Sequence, residues 1–163
     1  MRLRAVLGSA LFLLIAPGVV AGVIPWLLTG WSTEADVPPG IVVTGGLLVV
    51  AGAAVLLHAF ARFALEGRGT PAPVAPTDQL VVSGAYRYVR NPMYLAVGAM
   101  ILGQALILGR WSLLLYLLVF GTAVGAFVWL YEEPTLERAY GSDYDAYRRA
   151  VPAWIPRPRR PPR

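Results

Sequence analysis

NPMYLAVGAMILGQALILGRWSLLLYLLVFGTAVGAFVWLY, residues 91–131, carries a single charged side chain, Arg110, in 41 consecutive positions. Drawn as one helix, the stretch would be roughly 60 Å long at about 1.5 Å per residue. That is about twice the thickness of the hydrocarbon layer of a bilayer. The economical solution is a tight helical hairpin that turns at Gly109-Arg110, with one span over Asn91–Gly109 and another over Trp111–Tyr131.

Two more uncharged runs precede it. The first extends from Ala5 to Thr33, with its apolar body ending near Leu28, and the second from Ile41 to Ala61. Each is near or above the ~20 residues a helix needs to cross the hydrocarbon. The expected fold is therefore all-α and polytopic. One membrane domain, residues 1–163, would have four transmembrane helices at about 5–29, 41–62, 91–109 and 111–131, a C-terminal helical hairpin, and an interfacial helix in the tail 132–163. Residues 1–21 also have the basic start, apolar middle and small residues of a cleaved signal peptide. The apolar run continues through Val23, Ile24, Trp26 and Leu28, which favours an uncleaved first span.

Composition narrows the chemistry. Hydrophobic residues make up 57% and charged residues 14%, too few charges to clothe a soluble core of this size. With no cysteine and one histidine, His58, disulfides, thiolate metal sites and cysteine nucleophiles are excluded and a zinc site is not expected. The net charge of +5 could suggest nucleic acid, but all fourteen basic residues are arginines set beside the apolar runs. Thirteen of them fall before span one, between spans two and three, or after span four. Arg110 alone lies on the other side, where Glu34 and Asp36 also sit. This asymmetry places both termini in the cytoplasm. The lack of lysine, with abundant alanine, glycine and valine, fits a GC-rich genome and a bacterial plasma membrane.

The connector between spans two and three is rich in glycine and proline, so Thr70–Thr77 should be extended. After span four, Leu136, Tyr140, Tyr144 and Tyr147 recur at spacings of four, four and three. They predict one face of a helix lying at the interface, where tyrosines are favoured. The Pro-Arg-rich residues Pro156–Arg163 should be drawn to anionic headgroups. His58, within span two, is expected to be buried as an interhelical hydrogen-bond partner.

Two polar clusters stand at span ends: Gly84–Tyr94 (GAYRYVRNPMY) opening span three, and Glu132-Glu133-Pro134-Thr135-Leu136 closing span four. An antiparallel hairpin returns to its starting level, so both clusters should share one depth on the cytoplasmic side. Glutamates at a helix C-terminus oppose the macrodipole, and two adjacent carboxylates repel unless a cation intervenes. Arg87 or Arg90 would supply that cation as a structural salt bridge; a bound cationic ligand is the alternative.

The ordered set GAYRYVRNPMY, an apolar hairpin, then EEPTLERAYGSDYDAYRRAVPAWIP closely resembles the isoprenylcysteine carboxyl methyltransferase and phospholipid methyltransferase families. Those families carry Arg-His-Pro-x-Tyr or Arg-Asn-Pro-x-Tyr before a hydrophobic hairpin and a Glu-Glu pair, then Tyr/Phe-Gly-x-x-Tyr-x-x-Tyr and a Val-Pro…Ile-Pro segment. The match covers residues 84–156.

The resemblance implies an S-adenosylmethionine-dependent enzyme acting on a lipophilic membrane acceptor, an isoprenoid-cysteine-like carboxylate or another lipid. It implies a cofactor site made of Tyr86, Arg90, Asn91, Pro92, Tyr94, Glu132, Glu133 and Leu136, with Arg90 and Glu133 as the catalytic candidates. In that reading Glu132 and Glu133 meet the cofactor's ammonium, Arg90 its carboxylate, and Tyr86 and Tyr94 pack against the adenine or sulfonium. Pro92 bends the start of span three. Asn91 stands where the better-known eukaryotic members have histidine, so a role that needs a titrating proton is absent there. A carboxylate acceptor needs no base, whereas an amine would, for which Glu133 or a lipid phosphate could serve; the want of a dedicated base favours an oxygen or sulfur nucleophile. The alternatives are an NADPH-dependent membrane reductase, against which the Glu-Glu pair argues, and a non-catalytic membrane subunit or transporter.

Overall fold

A computed structural model of the chain describes residues 15–34, 36–66 and 80–157. Expectations for residues 1–14, for the Thr70–Thr77 connector and for the Arg-rich end beyond 157 lie outside the described residues. Among the described residues the regular structure is entirely helical: α1 (Ile24–Thr29), α2 (Pro39–Glu66), α3 (Pro92–Leu108), α4 (Trp111–Phe127), α5 (Glu133–Tyr140) and α6 (Ser142–Ala150). A π segment, Val19–Val23, runs into α1, a second, Val128–Glu132, joins α4 to α5, and a short 3₁₀ turn spans Gly84–Arg87.

Two helices are long and apolar enough to cross a membrane, Pro39–Arg62 and Trp111–Tyr140; Ile15–Thr29 and Pro92–Leu108 are shorter apolar helices. The long pair is apolar nearly all round, yet Leu47, Val50 and Leu57 on one and Leu114, Leu118 and Leu130 on the other remain exposed. A helix of that kind in a soluble protein would be buried within the core, so the exposed apolar surface points to lipid as the surrounding medium.

The hairpin turns where the charge pattern requires. Gly109 caps α3 at φ +63°, and its N–H donates to the Ala105 carbonyl; only glycine takes that left-handed conformation without penalty. Arg110 then holds the outer loop. Its Nε donates to the Ser32 carbonyl at 3.0 Å, Nη2 to Ser32 Oγ at 2.7 Å, and Nη1 pairs with Glu34 at 2.8 Å. Arg110 is thus a clasp between the first helix's loop and the hairpin tip.

Between α2 and α3 the backbones nearly touch. A Cβ on Gly52 would lie 2.6 Å from the Ala96 carbonyl, and one on Gly45 2.6 Å from that of Gly103. Gly45, Gly52 and buried Ala59 repeat at seven residues, as do Ala96 and Gly103, so small residues line one seam of each helix. In lipid, where no hydrophobic effect drives helices together, close van der Waals fit of this kind is one of the sources of association. Leu56, Phe60, Val97 and Ile101 pack beside the seam.

Both π segments begin six residues before a proline, Val19 before Pro25 and Val128 before Pro134. Proline has no N–H and its ring crowds the preceding turn; a wider turn relieves the crowding. At Pro25, the carbonyls that its missing N–H would have served in an α or π pattern are Ala21 and Val20. Gln104 Nε2 donates to the first at 2.8 Å and the Tyr116 hydroxyl to the second at 2.8 Å. Neighbouring helices thereby satisfy backbone groups that lipid would leave bare.

Three expectations change. The helix does not end at Glu132-Glu133: the chain continues helically to Tyr140 because the π turn carries it past Pro134. The tail is two helices, broken at Gly141 (φ +51°, ψ −125°), so Tyr140 and Tyr144 do not share one helical face. His58 is exposed. Its ring lies against Gly84, where φ is +58° and a Cβ would stand 2.7 Å from Nε2.

Candidate active site

Pro92 is the first residue of α3 and starts that helix instead of bending it: its lost N–H is one that the first turn leaves unpaired anyway. Just before it, the 3₁₀ turn and Tyr88–Asn91 cross the end of the bundle. Here the π turn and α5 bring Glu132 and Glu133 alongside. Gly141 redirects the chain, so α6 folds back and presents Tyr144 and Tyr147 inward.

Arg90 is the hub. Its Nη1 pairs with Glu133 Oε1 at 2.8 Å, with 12% and 13% of the two side chains exposed. The same nitrogen donates to the Tyr144 hydroxyl at 3.1 Å, and Arg148 flanks Glu133 at 3.9 Å. The Arg90 Nε is buried with no hydrogen-bond partner among the described residues. Arg87, the other candidate cation, is exposed.

Glu132 is held differently. The Tyr94 hydroxyl donates to its Oε2 at 3.2 Å, and no arginine of the described residues pairs with it. Leu136, half-buried, follows one turn later on α5. The Tyr147 hydroxyl donates to the Tyr86 carbonyl at 2.7 Å. The Tyr86 ring is buried with Ala59 and Val81. Burial pushes the Tyr86 and Tyr147 hydroxyls well above their ordinary value, so both stay neutral and able to donate at physiological pH.

A closing strand of irregular chain completes the site. The Arg90 N–H donates to the Pro152 carbonyl at 2.9 Å, Asn91 Nδ2 to that of Ala153 at 3.1 Å, and the Arg157 N–H to that of Tyr88 at 3.1 Å. Asn91 is buried by this contact. The structure therefore gathers Arg90, Glu133, Tyr94 and Glu132 at one end of the bundle. It adds Tyr144, Tyr147, Arg148 and two carbonyls that sequence reasoning missed. The Tyr-x-x-Tyr spacing was the available signal for the tyrosines; the carbonyls have none.

A family model for phospholipid methyltransferases matches residues 41–143. The chain belongs to the phospholipid methyltransferase family. The match covers every element of the site except the inward face of α6 and the closing strand. A protein-S-isoprenylcysteine O-methyltransferase from Schizosaccharomyces pombe is 37% identical over 78 residues, which are 47% of this chain and 33% of that protein. The similarity thus spans a third of the length of that relative. Membership in this methyltransferase family supports an enzyme.

Proposed function

We propose that the protein transfers a methyl group from S-adenosylmethionine to a lipophilic acceptor taken from the bilayer, and that the Arg90 cluster is where the cofactor binds. The observation that carries this reading is a pair of unmatched groups at one end of the bundle. Among the described residues Arg90 Nε is a buried donor without an acceptor, and Glu132 is an acid without a cation. A ligand with both a carboxylate and an ammonium answers both, and the amino-acid end of S-adenosylmethionine has both. A polyanionic dinucleotide would face two glutamates.

In this reading Arg90 orients the carboxylate by a charge-assisted hydrogen bond and Glu132 meets the ammonium. Tyr94 offers its ring face to the sulfonium, Tyr86 and Pro92 form the wall behind, and Leu136 covers the apolar side. Asn91 fixes the closing strand through Ala153. Glu133 holds the Arg90 fork and is the group placed to accept a proton if the acceptor is an amine. Bound there, the cofactor would supply an electrophilic methyl group. The chain's own contribution is positioning and the exclusion of water. The acceptor is an isoprenoid-cysteine-like carboxylate or another lipid. The apolar runs cross a bacterial plasma membrane four times with both termini inside, which sets the site at the cytoplasmic face.

Calorimetry on the detergent-purified protein tests this. S-adenosylhomocysteine is expected to bind and NADPH not to. Glu132→Gln, which keeps an acceptor for Tyr94, is expected to weaken binding about tenfold or more. Wild-type affinity in that variant, or preference for NADPH, overturns the assignment.

A further inference from the structure

Residues 151–157 have an exposed side as well as the side that closes the site. Val151 is buried, but Trp154 is 37% and Ile155 69% exposed, with Tyr88 exposed next to their attachment point. The level of this patch is fixed. Ala153 is tied to Asn91, the residue immediately before the first residue of α3, and Arg157 is tied to Tyr88. Trp154 and Ile155 therefore sit where an apolar helix begins, at the depth at which amphipathic aromatic rings favour the boundary between lipid and water.

Along the sequence, the charges that flank the patch have one sign. From Ala146 to Arg163 there are six arginines (148, 149, 157, 159, 160 and 163) and no acidic residue. Each arginine near an anionic membrane surface is attracted to it, and an apolar pair between them adds insertion. A zwitterionic surface would take up Trp154 and Ile155 but leave the arginines without counter-charge.

We propose that residues 151–157 form a latch that an anionic bilayer surface holds closed over Arg90 and Asn91. The partner is the headgroup layer of acidic phospholipids. Its insertion of Trp154-Ile155 stabilises the Pro152 and Ala153 contacts that complete the site. The consequence for catalysis rests on the cofactor reading above; the latch itself does not.

Amide hydrogen exchange on the full chain in lipid nanodiscs tests it. In discs containing phosphatidylglycerol, the segments 88–91 and 151–157 are expected to exchange about fivefold more slowly than in pure phosphatidylcholine discs. High salt should erase the difference by screening, and so should the double change Trp154→Ser with Ile155→Ser. Equal rates in the two kinds of disc overturn the latch, as does a difference that survives both the double change and salt. S-adenosylhomocysteine affinity is measured in the same discs. If no disc binds it, the cofactor reading fails, while the exchange rates still decide the latch.

Discussion

Arg90 does two jobs with one nitrogen. Its Nη1 serves both Glu133 and Tyr144, while Nε is buried with no hydrogen-bond partner among the described residues. Removing a partner from a buried ion pair leaves the other charge uncompensated, at a cost of about 3–5 kcal/mol. Arg90→Ala should therefore destabilise the protein by roughly that amount, since Arg148 at 3.9 Å is a poor substitute. Arg90→Lys keeps the charge but loses the planar fork, so it should retain most of the stability and lose most of the affinity for S-adenosylhomocysteine. Denaturant unfolding in detergent with and without the ligand separates the two effects; equal stability of Arg90→Ala and wild type would remove the pair from the account. That Arg87 or Arg90 would meet the glutamate pair was legible in the sequence, because a hairpin must return to its own starting level; the choice of Arg90 and Glu133 was not. Tyr144 was visible only as part of a stripe. A single glycine, Gly141, turns that stripe inward, and nothing in the spacing of the tyrosines announces it.

At the scale of elements, prolines were legible and their consequences were not. Pro25 and Pro134 can be read off the chain, but whether a helix stops, kinks or widens depends on what its neighbours offer to the freed carbonyls. Gln104 and Tyr116 offer side chains to Ala21 and Val20, so the first helix continues. Gln104→Leu should cost about 1–2 kcal/mol by leaving the Ala21 carbonyl unserved in an apolar setting. In a Pro25→Ala background the helix regains an N–H for that turn, so the same Gln104→Leu change should cost little. A double-mutant cycle read by thermal or denaturant unfolding checks this coupling; additive costs would show that Gln104 does something other than serve the proline's orphan. The second widened turn explains why glutamates that looked like a helix end are followed by another two turns of helix.

For the whole molecule, the apolar runs and the turn at Gly109-Arg110 were readable because hydrocarbon thickness and helix rise leave few alternatives. The close α2–α3 seam was less so, since glycines in an apolar helix do not say which neighbour they face. The absence of cysteine makes orientation directly testable. Trp111 stands at the clasp end of the long Trp111–Tyr140 helix, and Arg149 stands past its other end, on α6. A membrane-impermeant maleimide should label Trp111→Cys on intact cells and Arg149→Cys only after permeabilisation. The reverse pattern would invert the topology, and labelling of both from outside would break it. The placement of the site's polar groups carries a further consequence. Each charged or hydrogen-bonding side chain described there comes from Tyr86 to Arg148, C-terminal to α2. Among the described residues, the first helix and the outward face of α2 contribute none of them. Under the proposed function, inheritance can rewrite those two surfaces to admit a different lipid while the machinery that handles the transferable group is passed on unchanged, so selection on substrate and selection on chemistry would fall on separate stretches of one short chain.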